Sequence, residues 1–181
     1  MTVIMGRPSQ TYTELTAATP ASASPLFVTG MMPALWSAGL RYGVDPTVMV
    51  AQAGHETGWG TFGRAVRAAW RNTCGLKVRD TVAVIALLGE GISSEHPLCH
   101  AQFASWRVGA EAHAQHLRAY CQVPVDGLIV DPRYDVVVSL WPGRRPCVEV
   151  ADLGGLWAPS PDYGRRVQAT VDRLLGVNPS V

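Results

Sequence analysis

Glu56 lies in the run AQAGHETGWG, residues 51–60, and is the side chain in this sequence best placed to do acid chemistry. The preceding residues, Val48, Met49, Val50, Ala51 and Ala53, are apolar nearly all round a helical wheel, the pattern of a buried helix. Asp45 followed by Pro46 predicts where that helix starts, and Gly58 where it stops. Glu56 therefore falls in the last turn. Burial disfavours a carboxylate, and so does the partial negative charge at a helix C-terminus. Both raise the pKa, as a general acid for glycosidic cleavage requires near neutral pH. Gln52, four residues earlier, shares the face of Glu56. Gly58, Trp59 and Gly60 give the backbone room to turn and set a flat aromatic, of the kind on which sugar rings bind, beside the acid.

The sequence offers other constellations. His113 and His116 are three apart in a predicted helix, and His100 follows Cys99, so a zinc amidase or peptidase is a competing reading. His55-Glu56 is not an H-E-x-x-H pair, because position 59 is Trp. The expectation is no metal site and no cofactor. Trp36, at helical spacing with Leu40, is expected in the core, Trp70, Trp106 and Trp141 stay unassigned, and Arg144-Arg145 reads as a solvated turn.

The elements that must position Glu56 follow from periodicity. Residues 1–25, rich in Ser, Thr, Ala and Pro, read as an arm with one helical turn near positions 13–18. Residues 26–43 read as one amphipathic helix ended by Gly43. Residues 61–73 predict a short helix and a loop, and residues 107–121 a good helix. The β-branched run 81–85, with Gly89, Gly91 and Pro97, predicts an irregular lobe with short strands or turns over 74–104. Residues 122–146 are loop-rich, 147–153 a short helical turn, and 161–175 a closing helix with Pro161 near its start. The fold class is mainly α with a small irregular or β lobe, divided into the arm 1–25 and a domain over 26–177.

Composition narrows the function classes. The chain has 181 residues, enough for one domain with a real core, and at 48% hydrophobic and 16% charged it is not a disordered protein. Fifteen Lys and Arg against 14 Asp and Glu give a net charge of +1, without the basic excess that marks nucleic-acid binders or draws a protein to acidic membranes. Only Lys77 stands against 14 Arg, which reads as nucleotide bias in the source genome. No stretch approaches the roughly 18 to 20 apolar residues that span a bilayer. The first 25 residues carry neither a basic region nor a continuous apolar core, so no signal peptide is read and delivery by a separate export, release or anchoring partner is expected. Cys74, Cys99, Cys121 and Cys147 contain no C-x-x-C pair; two sequential disulfides or four buried free thiols both fit, and the thiols are favoured.

The string AQAGHETGWG resembles the AQA-x-x-E-[ST]-G-W-G signature of glycoside hydrolase family 73, the bacterial endo-β-N-acetylglucosaminidases. Three further segments follow in order. Asn72-Thr73-Cys74-Gly75-Leu76-Lys77 is similar to N-x-x-G-[IL]-K, and Phe103 to Trp106 resembles F-x-x-[YW] before a helix holding Gly109, His113, His116, Leu117 and Tyr120. Trp157-Ala158 through Tyr163 is similar to [YW]-A-x-x-x-x-Y. The four together cover about residues 30–175, with the flavour of glucosaminidase domains in phage lysins and bacterial cell-wall hydrolases.

The resemblance implies a lysozyme-like fold with a cleft between an α lobe and a smaller lobe. It implies peptidoglycan glycan strands as substrate, cut at the β-1,4 link between N-acetylglucosamine and N-acetylmuramic acid. Glu56 takes the acid role, Tyr163 the tyrosine lining the reactive centre, and Trp59, Trp157, Gln52 and Asn72 become candidate substrate contacts. The sequence departs from the family where a second acid is expected, since no Thr-Glu pair precedes Phe103. Glu95 is the favoured base for an inverting attack, with Glu90 and Asp80 as the other options. Attack by the substrate's own acetamido group, lytic transglycosylase chemistry with one Glu, and a non-catalytic wall-binding or virion module remain open.

Overall fold

The computed structural model describes residues 1–63, 66–89 and 93–177. Among the described residues there are seven α-helices: α1 (Tyr12–Ala18), α2 (Met32–Tyr42), α3 (Pro46–Thr57), α4 (Thr81–Leu88), α5 (Trp106–Tyr120), α6 (Tyr134–Val138) and α7 (Tyr163–Leu174). Three short 3-10 turns, Ala68–Trp70, Pro97–Cys99 and Val150–Leu153, connect them. No described helix is long and apolar enough to cross a membrane. Pairing of extended chain is limited, among the described residues, to four isolated bridges such as Lys77 with His100.

Helix α3 is the axis. Asp45 caps it by accepting from the Thr47 N–H at 2.9 Å, and Pro46 fills the first helical position. Gly58, at φ +56, ends it in the left-handed region that a side chain would strain. The helix is packed between α2 and α7, and α2 lies in turn against α5. One core runs through this bundle, joining Met31, Met32 and Leu35 to Val48, Met49, Ala110, Leu117, Val167 and Val171. Ile4 and Leu15, both fully buried, belong to the same core, so residues 1–25 pack onto the bundle and contain a two-turn helix, longer than the single turn expected.

Two expectations need correction. Residues 26–43 are not one regular helix. A π-helical turn over Phe27–Met31 precedes α2, with the Met32 N–H reaching back to the Phe27 carbonyl. Pro33, having no N–H, cannot give the carbonyl of Thr29 an ordinary helical bond. The run 81–85 is not a strand: it is the first part of α4, started by Asp80, whose side chain accepts from the Ala83 N–H at 2.8 Å. A cap and local hydrogen bonds outweigh β propensity where no neighbouring strand is present to pair with. The region 74–104 is therefore irregular with one helix, and the short strands expected there are absent among the described residues. All four cysteines are buried free thiols; neither sequential disulfide forms.

Candidate active site

Glu56 lines a cavity of about 330 Å³ together with Gly75, Lys77, Glu95, His100 and Trp157. A second cavity, about 280 Å³, shares Gly75, Lys77 and Trp157 with the first. Trp157 is thus the aromatic both spaces have in common. Its ring sits against those of His116 (4.9 Å between centroids), His113 (5.6 Å) and Tyr120 (5.7 Å), which fix its plane.

The Glu56 side chain is open to the cavity yet crowded on its other sides by protein. That crowding desolvates it and raises its pKa, and the negative charge of Glu95 adds to the rise; hydrogen bonds from Tyr163 and the Trp157 indole oppose it. The Tyr163 hydroxyl, at the first residue of α7, donates to Glu56 Oε1 at 2.5 Å. Tyr163 is itself pushed well up by burial and by the adjacent carboxylate, so it stays a neutral donor. The other oxygen, Oε2, faces Gly75. A Cβ added there would lie 3.7 Å from Oε2, and Gly75 holds φ +68, so the backbone comes close to the acid without a side chain over it.

Glu95 has the opposite environment. It projects from the far wall with a side chain 70% exposed, and Lys77 donates to it. Lys77 is held in turn by the Ser94 carbonyl at 2.6 Å. The hydrogen bond from Lys77 holds the Glu95 carboxyl below the usual range; burial opposes it, and the charges of Lys77 and His100 add to the lowering. The two carboxyl groups that line this cavity are thus pushed apart, one towards the acid form and one towards the base form.

Other sequence candidates lie elsewhere. Gln52 is fully buried one turn before Glu56 and lines neither cavity; its amide nitrogen donates to the Tyr163 hydroxyl at 2.8 Å. Asn72 is fully buried too. Its amide binds the carbonyls of Leu76 and Ala101 and the Leu76 N–H, so it shapes the loop that carries Gly75 and faces no open space. The Trp59 ring lies against Phe27 (5.2 Å) and over Gly54, where a Cβ would come within 2.8 Å of it, rather than along the cavity. Asp80 is the cap of α4, and Glu90 lies outside the described residues.

The histidines weighed as metal ligands have other partners. His116 Nδ1 is 2.7 Å from Asp131 Oδ2. His113, fully buried, has Nε2 2.9 Å from Gln52 Oε1 and Nδ1 3.2 Å from Thr73 Oγ1. Burial drives its pKa down to about 3, so it is neutral. Among the described residues no three His, Cys, Asp or Glu side chains are grouped to hold a metal ion. Thr73 and His113, which the sequence showed only as a motif residue and as a candidate metal ligand, stand in the site in a role that sequence reasoning missed. The available signal was His113 standing one turn from Gly109 in a helix whose residues 109–117 are all buried.

The chain matches a known protein family. The family model described as glucosaminidase, mannosyl-glycoprotein endo-beta-N-acetylglucosaminidase, covers residues 32–175. No curated protein and no solved structure matches the chain.

Proposed function

From the premise that this chain belongs to the glucosaminidase family, and is therefore a glycoside hydrolase, we propose that it hydrolyses the β-1,4 bond between N-acetylglucosamine and N-acetylmuramic acid in bacterial peptidoglycan. The observation that carries this reading is the pair of carboxyl groups in one cavity with pKa values displaced in opposite directions. Glu56 gives its proton to the glycosidic oxygen as the bond to the anomeric carbon breaks. Glu95 takes a proton from the water whose oxygen bonds to that carbon on the opposite face, inverting the anomer. The bundle and the 74–104 wall act as the two lobes of a lysozyme-like fold, and Trp157 as the face on which a sugar ring rests. The working site is the bacterial cell wall.

Digestion of purified sacculi tests this. Expected products carry new reducing N-acetylglucosamine ends, first released as the α-anomer, and Glu56→Gln abolishes them. Products that are all anhydro-muropeptides would replace hydrolysis with transglycosylation. An enzyme that releases the β-anomer and tolerates Glu95→Gln would place the substrate's acetamido group, not Glu95, in the attacking role. Equal inactivity of wild type and Glu56→Gln would leave a wall-binding module.

A further inference from the structure

Behind Glu56 runs an unbroken file of polar side chains: Thr73, His113, Gln52, Tyr163, Glu56, joined at 3.2, 2.9, 2.8 and 2.5 Å. Thr73, His113 and Gln52 are fully buried and Tyr163 is 3% exposed, so the inner partners meet one another instead of solvent. In such a file the direction of one hydrogen bond dictates the next. A neutral imidazole has one N–H. With that hydrogen on Nε2, the Gln52 oxygen must face His113 and its NH₂ must face Tyr163. The Tyr163 oxygen then accepts, and its single hydrogen points to Glu56. With the hydrogen on Nδ1, Gln52 turns over, its oxygen faces Tyr163, and the hydroxyl hydrogen turns back, leaving two oxygens opposed at 2.5 Å.

We propose that His113 is a positioning residue whose Nε2–H tautomer, relayed by Gln52, fixes Tyr163 as a donor to Glu56 Oε1 and so confines the transferable proton of the acid to Oε2. Oε1, already accepting from Tyr163, is the poorer site for the proton. Oε2 is the oxygen beside Gly75, which lines both cavities. At the far end the Thr73 hydroxyl, on the loop that Asn72 braces, lies 3.2 Å from Nδ1 and is placed to donate to it in this tautomer. The file is neutral up to Glu56, consistent with the imidazole remaining uncharged far below neutral pH. The titratable groups around it are His116 on α5, Cys74 beside Thr73, His55 with its ring edge on Tyr163, and Glu95 across the cavity.

The role rests on Glu56 being the proton donor proposed above, and the tests separate the two. In the wild-type protein, ¹⁵N NMR of the imidazoles reads the tautomer without any substrate; a hydrogen on Nδ1 of His113 overturns the wiring. In kinetics, His113→Leu removes the donor. Expected are a loss in kcat of roughly tenfold or more and a basic limb of the pH profile moved to higher pH, because the charged form of Glu56 loses support. His113→Gln, whose amide can still donate to Gln52, restores the limb, and Tyr163→Phe reproduces the shift by removing the last donor. A slower His113→Leu enzyme with an unmoved limb would mean a merely structural side chain and refute the proposal. If His113→Leu does not fold, the comparison of His113→Gln and Tyr163→Phe with wild type decides. If the wild type cuts no glycan, the glucosaminidase reading fails alone, and ¹³C titration of the Glu56 carboxyl in the same variants replaces the pH profile.

Discussion

Glu56 and Glu95 line one cavity but belong to walls of different construction. Glu56 closes α3, ten of whose twelve residues are buried, and its carboxyl is tied into a file of satisfied side chains. Glu95 stands on a segment next to α4, a helix with no buried residue, and its anchor is Lys77. Val82 and Leu87 of α4 are 75% and 87% exposed, so that wall has little apolar burial to stiffen it. An acid must be desolvated and oriented to keep a raised pKa, which favours the rigid wall. A base that activates water gains from solvation and from a nearby cation, which the looser wall supplies.

The largest effect should come from the rigid wall. Glu56→Gln is expected to lower kcat by about 10²–10⁴-fold while circular dichroism and thermal midpoint stay near wild type. Glu95→Gln should cost about 10²-fold, the low end of the same range, if the far wall supplies the base; a near-normal rate would reduce that wall to substrate holding.

The pH profile sharpens the contrast. As the proposed acid Glu56 must be protonated, and its pKa is raised, so on that reading activity falls only as pH rises through that elevated value. As the proposed base Glu95 must be ionised, and its pKa is lowered, so on the same reading activity falls as pH drops through that depressed value. Lys77→Met removes the main cause of the depression, and the acidic limb should move up while the basic limb stays. An unmoved acidic limb in Lys77→Met would detach Glu95 from the rate.

Stability tests set the walls against each other again. His113 is neutral and buried, with a pKa near 3 in the fold against 6.5 when free. The unfolded chain therefore binds the extra proton first, and folding stability contributed by this group is present above pH 6.5 and declines as pH falls towards 3. Denaturant titrations from pH 7 to 4 should show that decline, flattened in His113→Gln. On the other wall, Asp80→Ala should cost α4 about 1 kcal/mol of local stability, visible as faster hydrogen exchange over 81–88 with α3 unchanged.

How far the sequence could be read follows the same division. The α3 helix was legible from end to end, because Asp45, Pro46 and Gly58 are punctuation whose effects are local. So was the pairing of Glu56 with Tyr163, through the ordered family motifs, although 107 residues separate them. The α4 region was misread, because Val82, Val84 and Ile85 suit a strand only when a partner strand exists, and that depends on the rest of the chain. Gln52 and Asn72 show another limit. A motif marks a position as necessary, but not whether its side chain faces substrate or the packing behind it; burial turned both inward. His113 was visible on its helix, but its partners come from α3 and from the 72–76 loop, a convergence no spacing rule encodes.

The early residues of the chain bear on how this catalyst can be moved between proteins. The stretch that matches the family begins at residue 32, yet Ile4, Leu15, Phe27 and Met31 are fully buried in the shared core. Ser9 holds the Asp45 carboxylate that starts α3, and Thr2 binds Gln168 on α7. A graft cut at the edge of the motif would arrive with holes in its interior and a frayed start to the very helix that ends in Glu56. The transplantable unit of this enzyme is larger than its signature, and chimeras should carry the stretch from Thr2 to Met31 along with the residues from 32 on.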